Sequence, residues 1–153
     1  MLLTGCFVSA IALFSCNTID VFEKFENFPK NEWHVSKQPS FAFEVKDTTA
    51  PYHIYFVIRH TDAYKYNNIW VNINTQSPLG TKQMQLVNIN LADNANGWLG
   101  AGMDDIFDSR IKITKAPVAL KAGVYTFTIA QAMRDEPLAA VLSAGIRVEK
   151  QVP

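Results

Sequence analysis

The sequence is short of cysteine and of excess charge, and each shortage excludes a class of function. The two cysteines, Cys6 and Cys16, both lie near the N-terminus. The body of the chain therefore has no thiols for a disulfide framework or a thiolate metal site. The 14 basic and 14 acidic side chains cancel, so no overall field attracts nucleic acid. We expect no nucleic-acid partner.

Residues with the spacing of a catalytic or metal site are also missing. The 3 histidines are His34, His53 and His60, and the last two would point to opposite faces of one predicted strand. The sequence has no Gly-x-Ser-x-Gly elbow, phosphate-binding glycine loop or His-Glu-x-x-His motif. We therefore expect a protein that is not an enzyme and has no cofactor, metal site or small-molecule substrate.

The N-terminal apolar run is too short to span a bilayer as a helix, which takes about 20 residues. Residues 7–14 (FVSAIALF) instead form the apolar centre typical of a signal peptide. Leu13-Phe14-Ser15-Cys16 follows and resembles the bacterial lipoprotein box. The sequence predicts a lipoprotein signal peptide at 1–15, and a lipidated Cys16 with a short tether at 16–22.

Lipidation of Cys16 by two or three fatty chains, such as palmitate, would anchor the protein firmly, because each buried CH₂ contributes about 0.8 kcal/mol. Phe14 is larger than the usual residue of the box, and no Lys or Arg precedes the apolar run. We therefore expect the true start codon to lie upstream. Leu3-Thr4-Gly5-Cys6 is an alternative box, but it would leave residues 7–14 as an apolar head on the mature protein.

After Cys16 the sequence is dominated by short segments in which apolar and polar residues alternate. Such alternation predicts strands at 41–46, 68–75, 83–91, 111–113, 123–130 and 142–148. Residues 52–60 (YHIYFVIRH) are apolar on both faces, as expected for a central strand. Helix is scarce, because Pro137 interrupts the best candidate at 132–142. The predicted fold is all-β: a single antiparallel β-sandwich, immunoglobulin-like or jelly-roll-like, of about 7–9 strands over residues 23–153.

Two details of the strands are also predicted. The alternation changes parity between Gln83 and Leu91, and a β-bulge near Leu86 would keep one face buried. The segment 123–127 (GVYTF) resembles the penultimate strand of many sandwiches, in which a tyrosine hydroxyl bonds to the backbone at a corner. Here that residue is Tyr125.

Tryptophans and clustered carboxylates supply the candidate contact residues. The glycine-rich segment 97–102 carries Trp98 and precedes a group of carboxylates, so it has the aromatic and charged character of an interaction hot spot. Trp33 is the second candidate for a protein contact. Core packing is the ordinary alternative for both tryptophans. The carboxylates of the group are Asp104, Asp105 and Asp108.

A third tryptophan favours a different function. Trp70 alternates with inward-facing residues and shares the outward face of its predicted strand with Asn72 and Asn74. An exposed aromatic ring beside amide side chains is typical of a sugar-binding platform. The runner-up function is therefore glycan binding by a membrane-anchored sandwich.

Short motifs occur in a fixed order along nearly the whole chain after Cys16. They are Val21-Phe22-Glu23, Phe28-Pro29-x-Asn31-Glu32-Trp33, Phe41-x-Phe43-Glu44-Val45-x-Asp47-Thr48, Pro51-Tyr52, Ile58-Arg59, the single residues Thr61, Tyr64, Tyr66 and Asn68, Gly97-Trp98-Leu99-Gly100-x-Gly102, Asp105-Ile106-x-Asp108, Gly123-x-Tyr125-Thr126-Phe127, Gln131-Ala132-Met133-Arg134 and Gly145-x-Arg147-x-Glu149-Lys150. Together they resemble the gliding-motility lipoprotein GldH family of the Bacteroidetes.

This resemblance implies a non-enzymatic lipoprotein of the cell envelope. The family belongs to the surface gliding apparatus, which works with the type IX secretion machinery. The expected location is the outer membrane, reached through a lipid anchor. The expected partners are other envelope proteins of gliding or type IX secretion, and no cofactor is implied.

Overall fold

The structure is a computed structural model that describes residues 21–151. The predicted signal peptide 1–15 and Cys16 lie outside the described residues. The first strand begins at Val21, two residues before the predicted start of the sandwich at Glu23. No helix in the described part of the chain is long and apolar enough to cross a membrane.

The described chain consists almost entirely of β-strands joined by turns. In chain order these are β1 (Val21–Asn27), β2 (Glu32–Trp33), β3 (Ser40–Val45), β4 (Tyr52–Thr61), β5 (Asn68–Gln76), β6 (Lys82–Asn90), β7 (Ala92–Asp93), β8 (Gly97–Trp98), β9 (Ala101–Met103), β10 (Ile106–Lys112), β11 (Gly123–Gln131), β12 (Leu138–Ala139) and β13 (Val141–Lys150). A 3₁₀ turn at Pro29–Asn31 separates β1 from β2.

Two antiparallel sheets form the sandwich. The first sheet has 5 strands in the order β1-β13-β4-β10-β9, and the second has 4 strands in the order β3-β11-β5-β6. The short pairs β12-β2 and β7-β8 form 2-stranded ribbons beside them. The predicted all-β antiparallel sandwich is confirmed.

The core follows from alternation along the strands, as predicted. On β5 the side chains of Ile69, Val71 and Ile73 are buried, whereas Trp70 on the opposite face is 39% exposed. On the central strand β4, Phe56, Val57 and Ile58 are all buried; Val57 lies on the outer face, beside Gly145 and Arg110. The sequence pattern thus places the inner face of β5 correctly.

The predicted bulge near Leu86 is wrong. Strands β5 and β6 pair in unbroken register from Asn68–Asn90 to Gln76–Lys82. Met84 and Leu86 consequently lie on the outer face, 71% and 59% exposed. The change of alternation within β6 requires no bulge, because β6 is an edge strand whose first half is exposed on both faces. The structure instead has an irregularity in β13, between Val141 and Ser143.

Strand β1 is missing from the sequence prediction. It pairs antiparallel with β13 along its whole length. Its two phenylalanines are an odd number of positions apart, so they lie on opposite faces of the strand. Phe22 packs inward against Phe43 with ring centroids 5.1 Å apart, whereas Phe25 lies on the outer face. β1 has neither the period of two of the alternating strands nor the continuous apolar run of β4, because charged residues separate its two phenylalanines.

The predicted tyrosine contact is present at the start of β11. The backbone N–H of Lys121 donates a hydrogen bond to the hydroxyl oxygen of Tyr125, 3.1 Å away. This bond fixes the loop that enters β11 to the strand itself. The prediction for Tyr125 is confirmed.

The first sheet gives the sandwich two distinct ends. At the "Val21 end", Val21 pairs with Glu149 and Glu149 with His53. At the "Met103 end", Thr61 pairs with Ile106 and Ile106 with Met103. Strand β4 runs between them over 10 residues, which corresponds to about 30 Å.

Candidate interaction sites

Trp33, a predicted contact residue, lies in the core. Its side chain is 0% exposed, and its ring stacks on Phe28 with centroids 4.9 Å apart. The indole N–H donates to the carbonyl oxygen of Lys37 at 2.8 Å. Both the apolar and the polar parts of Trp33 are therefore satisfied inside the protein, and we leave Trp33 out of the candidate contact surface.

Trp98 is half-buried in a group of rings that we call the His60 cluster, formed by His60, Tyr64, Trp98 and Phe107. The ring of Trp98 is centred 4.5 Å from that of His60 and 5.7 Å from that of Phe107. Gly97 adopts a left-handed φ of 70°, which turns the chain so that Trp98 packs back on the sheet. Trp98 therefore mainly packs within the Met103 end, and its ring is not free for a partner.

His60 is the buried centre of this cluster. Its Nδ1 donates to the carbonyl oxygen of Thr61 at 2.9 Å, which assigns the proton to Nδ1. Burial lowers the pKa of the imidazole, because the charged form loses its hydration. Within residues 21–151 its Nε2 has no hydrogen-bond partner. His60 is therefore neutral and structural, and no sequence pattern predicted its burial.

Asp104 and Asp105 form the two-residue turn between β9 and β10. Both are exposed, and Asp104 adopts a left-handed φ of 55°, which aspartate tolerates better than most residues. The carbonyl oxygen of Asp105 accepts a 2.8 Å hydrogen bond from the backbone N–H of Asp62. Met103, which precedes the turn, is 79% exposed. The Met103 end thus presents an apolar side chain beside free carboxylates.

Asp108, the third predicted carboxylate, faces elsewhere. It lies on the outer face of the first sheet, where Arg59 contacts it at 2.9 Å and Arg110 at 3.1 Å. The three aspartates are thus not brought to one site. In the described range 21–151, no group of His, Cys, Asp or Glu side chains is arranged to hold a metal ion.

An ion-pair network covers this outer face, and the sequence analysis did not predict it. Glu23 on β1 receives hydrogen bonds from Arg110 at 2.8 and 2.9 Å and from Arg147 at 2.9 Å. We call the set the outer-face network; its members are Glu23, Arg59, Asp108, Arg110, Arg147 and Glu149. Charged residues at alternate positions of β10 and β13 are the sequence feature from which this network could have been predicted.

The pKa of Glu23 reflects its place in this network. The hydrogen bond from Arg110 lowers the pKa of the carboxyl group, burial opposes this shift, and Arg147 lowers it further. The carboxylate is 18% exposed, so its pairing is less screened than that of a surface ion pair. The network holds strands β1, β13 and β10 together across the sheet.

Trp70 lies beside a groove on the outer face of the second sheet. The groove has a volume of about 500 Å³ and is lined by Tyr66, Asn68, Trp70, Leu86, Ala132, Met133 and Arg134. The residues proposed with Trp70 for sugar contact, Asn72 and Asn74, follow it on the same face. The structure thus places all three of them outward.

A comparison with protein families identifies the chain's relatives. The family model described as GldH lipoprotein matches residues 20–148. The chain belongs to the GldH lipoprotein family. Membership implies a lipid-anchored protein of the cell envelope, and the GldH lipoprotein family is not a known enzyme family.

Two curated proteins match over almost their full length. The "Gliding motility lipoprotein GldH homolog" of Christiangramia forsetii is 26% identical over 152 residues, which is 94% of this chain and 93% of the relative. The "Gliding motility lipoprotein GldH" of Flavobacterium johnsoniae is 27% identical over 151 residues, with the same shares covered.

Two viral structures match the chain at low sequence identity. The structure of the infectious bursal disease virus Gt strain matches with a TM-score of 0.39 and 13% identity, over 97% of this chain. The VP2 subviral particle of the same virus matches with a TM-score of 0.38, 14% identity and 93% coverage. The chain spans 37% of each viral chain.

The motifs that carry the GldH resemblance meet in the folded chain. Glu23, Arg59, Asp108, Arg147 and Glu149 come from four separate motifs, and all five belong to the outer-face network. Gly145, from the last of these motifs, lies on the same face. One face of the first sheet therefore gathers motif residues that are distant in the sequence.

Proposed function

We propose that this protein is a gliding-motility lipoprotein, anchored to the outer membrane by Cys16, that binds other envelope proteins of the gliding and type IX secretion machinery. The two curated relatives, both named gliding motility lipoproteins, support the first part. It acts as a binding module and catalyses no reaction. The observation that carries the binding role is the apolar and acidic turn at the Met103 end.

The position of the anchor orients this turn. Five Cα–Cα steps separate Cys16 from Val21, and they span at most about 18 Å. A lipid on Cys16 therefore holds the Val21 end close to the bilayer. The Met103 end lies about 30 Å further away, at the other end of β4, where a partner has access to it.

The Met103 end has the composition of a contact surface. Met103 supplies a flexible apolar side chain that is 79% exposed, and methionine adapts well to varied partners. Asp104 and Asp105 supply an acidic rim, since neither forms an ion pair within the described chain. The packed His60 cluster supports the turn from behind. The matching partner surface is an apolar pocket with basic residues around it.

The test is affinity purification of the tagged full-length protein from its own cells after cross-linking in mild detergent. Mass spectrometry identifies both the co-purifying proteins and the modification of the N-terminal peptide. Met103→Ser combined with Asp104→Asn and Asp105→Asn should deplete the partners. Met84→Ser is the matched control, because Met84 is a similarly exposed methionine on an edge strand far from the turn.

Recovery of gliding or type IX secretion proteins with an acylated Cys16 peptide supports the proposal. Equal recovery from the triple variant and the parent rejects the contact role of the turn. An unmodified N-terminus rejects the anchor. Hydrolytic turnover that Asp105→Asn or Asp108→Asn abolishes would contradict a role without catalysis.

Glycan binding is the second candidate, and the exposed Trp70 beside its groove favours it. Trp70 is 39% exposed, Tyr66 lines the same groove, and Arg134 forms no ion pair within residues 21–151. Aromatic rings stack on sugar rings, and a free guanidinium would bind an acidic substituent.

A glycan array and a cell-wall pull-down with the full-length protein in detergent test this candidate. Trp70→Ala should abolish retention, and Asn72→Ala with Asn74→Ala should weaken it. Val124→Ala, at a 50% exposed site on the same face of the sheet, should leave retention intact. Retention that survives Trp70→Ala removes glycan binding at this groove from consideration.

A further inference from the structure

Lysines accumulate at the Val21 end of the sandwich. Val118 pairs with Tyr52 at the start of β4, which places the loop between β10 and β11 there. Pro78 packs against Gly123, and Gly123 pairs with Val45 at the end of β3, so the β5–β6 turn lies there as well. The lysines that these elements bring to the Val21 end are Lys46, Lys82, Lys112, Lys115, Lys121 and Lys150.

Among the described residues, the unpaired charge at this end is positive. Of the described carboxylates there, Glu44 pairs with Lys46 at 3.6 Å, Glu149 with Arg147 at 3.0 Å, and Asp47 with Lys150. Four of these lysines contact no carboxylate in the part of the chain that the structure describes; they are Lys82, Lys112, Lys115 and Lys121. The whole chain is neutral, so this local excess is a property of the fold rather than of the composition.

Exposed aliphatic side chains stand among these lysines. Leu79 in the β5–β6 turn is 73% exposed, and Val118 in the β10–β11 loop is 39% exposed. Apolar side chains that project between lysines are typical of surfaces that meet the headgroup region of a bilayer. Lysine contributes to such surfaces by extending its long stem over apolar groups while its ammonium stays in water.

We propose that the Val21 end binds the anionic phospholipid surface of the membrane that holds the lipid anchor. The proposal rests on the anchoring of Cys16 proposed above. The chain between Cys16 and Val21 spans at most about 18 Å, so the anchor keeps the lysines near headgroups. Salt screens charges beyond about 8 Å, and direct contact is therefore required. The contact orients the sandwich with its Val21 end on the membrane and its Met103 end pointing away from it.

The test uses the full-length acylated protein in vesicles that carry a lipid-borne fluorescence quencher. Cys6 is removed with the signal peptide and Cys16 is acylated, so a single introduced cysteine can be labelled. Leu79→Cys reports on the Val21 end and Met103→Cys on the other. Vesicles of phosphatidylcholine are compared with vesicles that also contain phosphatidylglycerol, at low and high salt.

The proposal predicts loss of fluorescence at Leu79→Cys but not at Met103→Cys, enhanced by phosphatidylglycerol and reversed by salt. Combined Lys82→Gln, Lys115→Gln and Lys121→Gln should restore the fluorescence. Combined Lys30→Gln, Lys37→Gln and Lys65→Gln, with the same change in net charge, should not. Equal signals at both labels, or quenching unaffected by the first set of changes, overturn the proposal. Failure of the anchor is distinct, since mass spectrometry then shows an unmodified Cys16.

Discussion

Phe25 on β1 occupies the space above Gly145 on β13. An ideal Cβ on Gly145 would lie 2.6 Å from both Cα and Cβ of Phe25, and 2.1 Å from the carbonyl oxygen of Lys24. The two residues are direct partners in the sheet. Arg59 then covers the Phe25 ring from outside, with its guanidinium 5.9 Å from the ring centroid. Because Gly145 has no side chain, the ring of Phe25 can pack on the otherwise charged outer face.

Gly145→Ala should therefore destabilise the protein by roughly 1–3 kcal/mol, because overpacking against backbone atoms cannot be relieved by rotating a side chain. Chemical denaturation followed by tryptophan fluorescence measures the effect. Val124→Ala, at an exposed strand position, is the control and should change the free energy of unfolding by less than about 0.5 kcal/mol. An unchanged midpoint in Gly145→Ala would mean that β1 is not held against β13 in this way.

Alternation along the strands was enough to predict most of the sandwich. A strand with one buried face repeats every two residues; β3 and β5 follow this rule, and β11 follows it from Gly123 to Ile129. Strand β1 was not predicted, because Phe22 and Phe25 face opposite sides of the sheet and do not alternate. The bulge near Leu86 was inferred from a buried face that the edge strand β6 does not have.

The candidate sites were harder to predict, because they depend on neighbours distant in sequence. Alternation placed Trp70 outward, and it is 39% exposed, but no local pattern showed that Trp33 is buried, at 0% exposed. Glu23 and Arg147 lie 124 positions apart, and only the pairing of β1 with β13 brings them within 2.9 Å. The motifs of the resemblance included both residues but did not show that they meet.

Glu23→Gln should lower the free energy of unfolding by about 2 kcal/mol at neutral pH, since hydrogen bonds to two guanidinium groups are weakened. Arg110 and Arg147 hold the pKa of Glu23 below its ordinary value of 4.5. Its contribution is therefore present above that pH and is lost as pH falls through the folded-state pKa. The unfolding curves of parent and variant, measured across pH, should converge in acid.

The control for this prediction is Glu44→Gln. Glu44 also pairs with a cation, Lys46, but its side chain is 59% exposed, and solvent screens the pair. Its removal should have little effect at any pH. A loss equal to that of Glu23→Gln would show that the outer-face network has no special role in stability.

The three tryptophans should differ in their importance for stability. Trp33→Ala removes a fully buried ring and should cost roughly 3–5 kcal/mol. Trp98→Ala opens the half-buried His60 cluster and should cost about 2 kcal/mol. Trp70→Ala should cost less than about 1 kcal/mol, because the ring already faces solvent. Thermal unfolding of the three variants gives the order, and a normal melt of Trp98→Ala would place that ring outside the cluster.

Mild acid should destabilise the protein through His60. Burial lowers the pKa of the folded-state imidazole, whereas the unfolded chain keeps a pKa of about 6.5. Below pH 6.5 the unfolded state therefore binds more protons, and stability should fall by up to about 1.4 kcal/mol per pH unit. The neighbouring rings, Tyr64, Trp98 and Phe107, carry no charge in this range. His60→Phe should abolish the slope between pH 5 and 6.5, and His53→Gln should retain it. A slope that persists in His60→Phe would assign the proton uptake to another group.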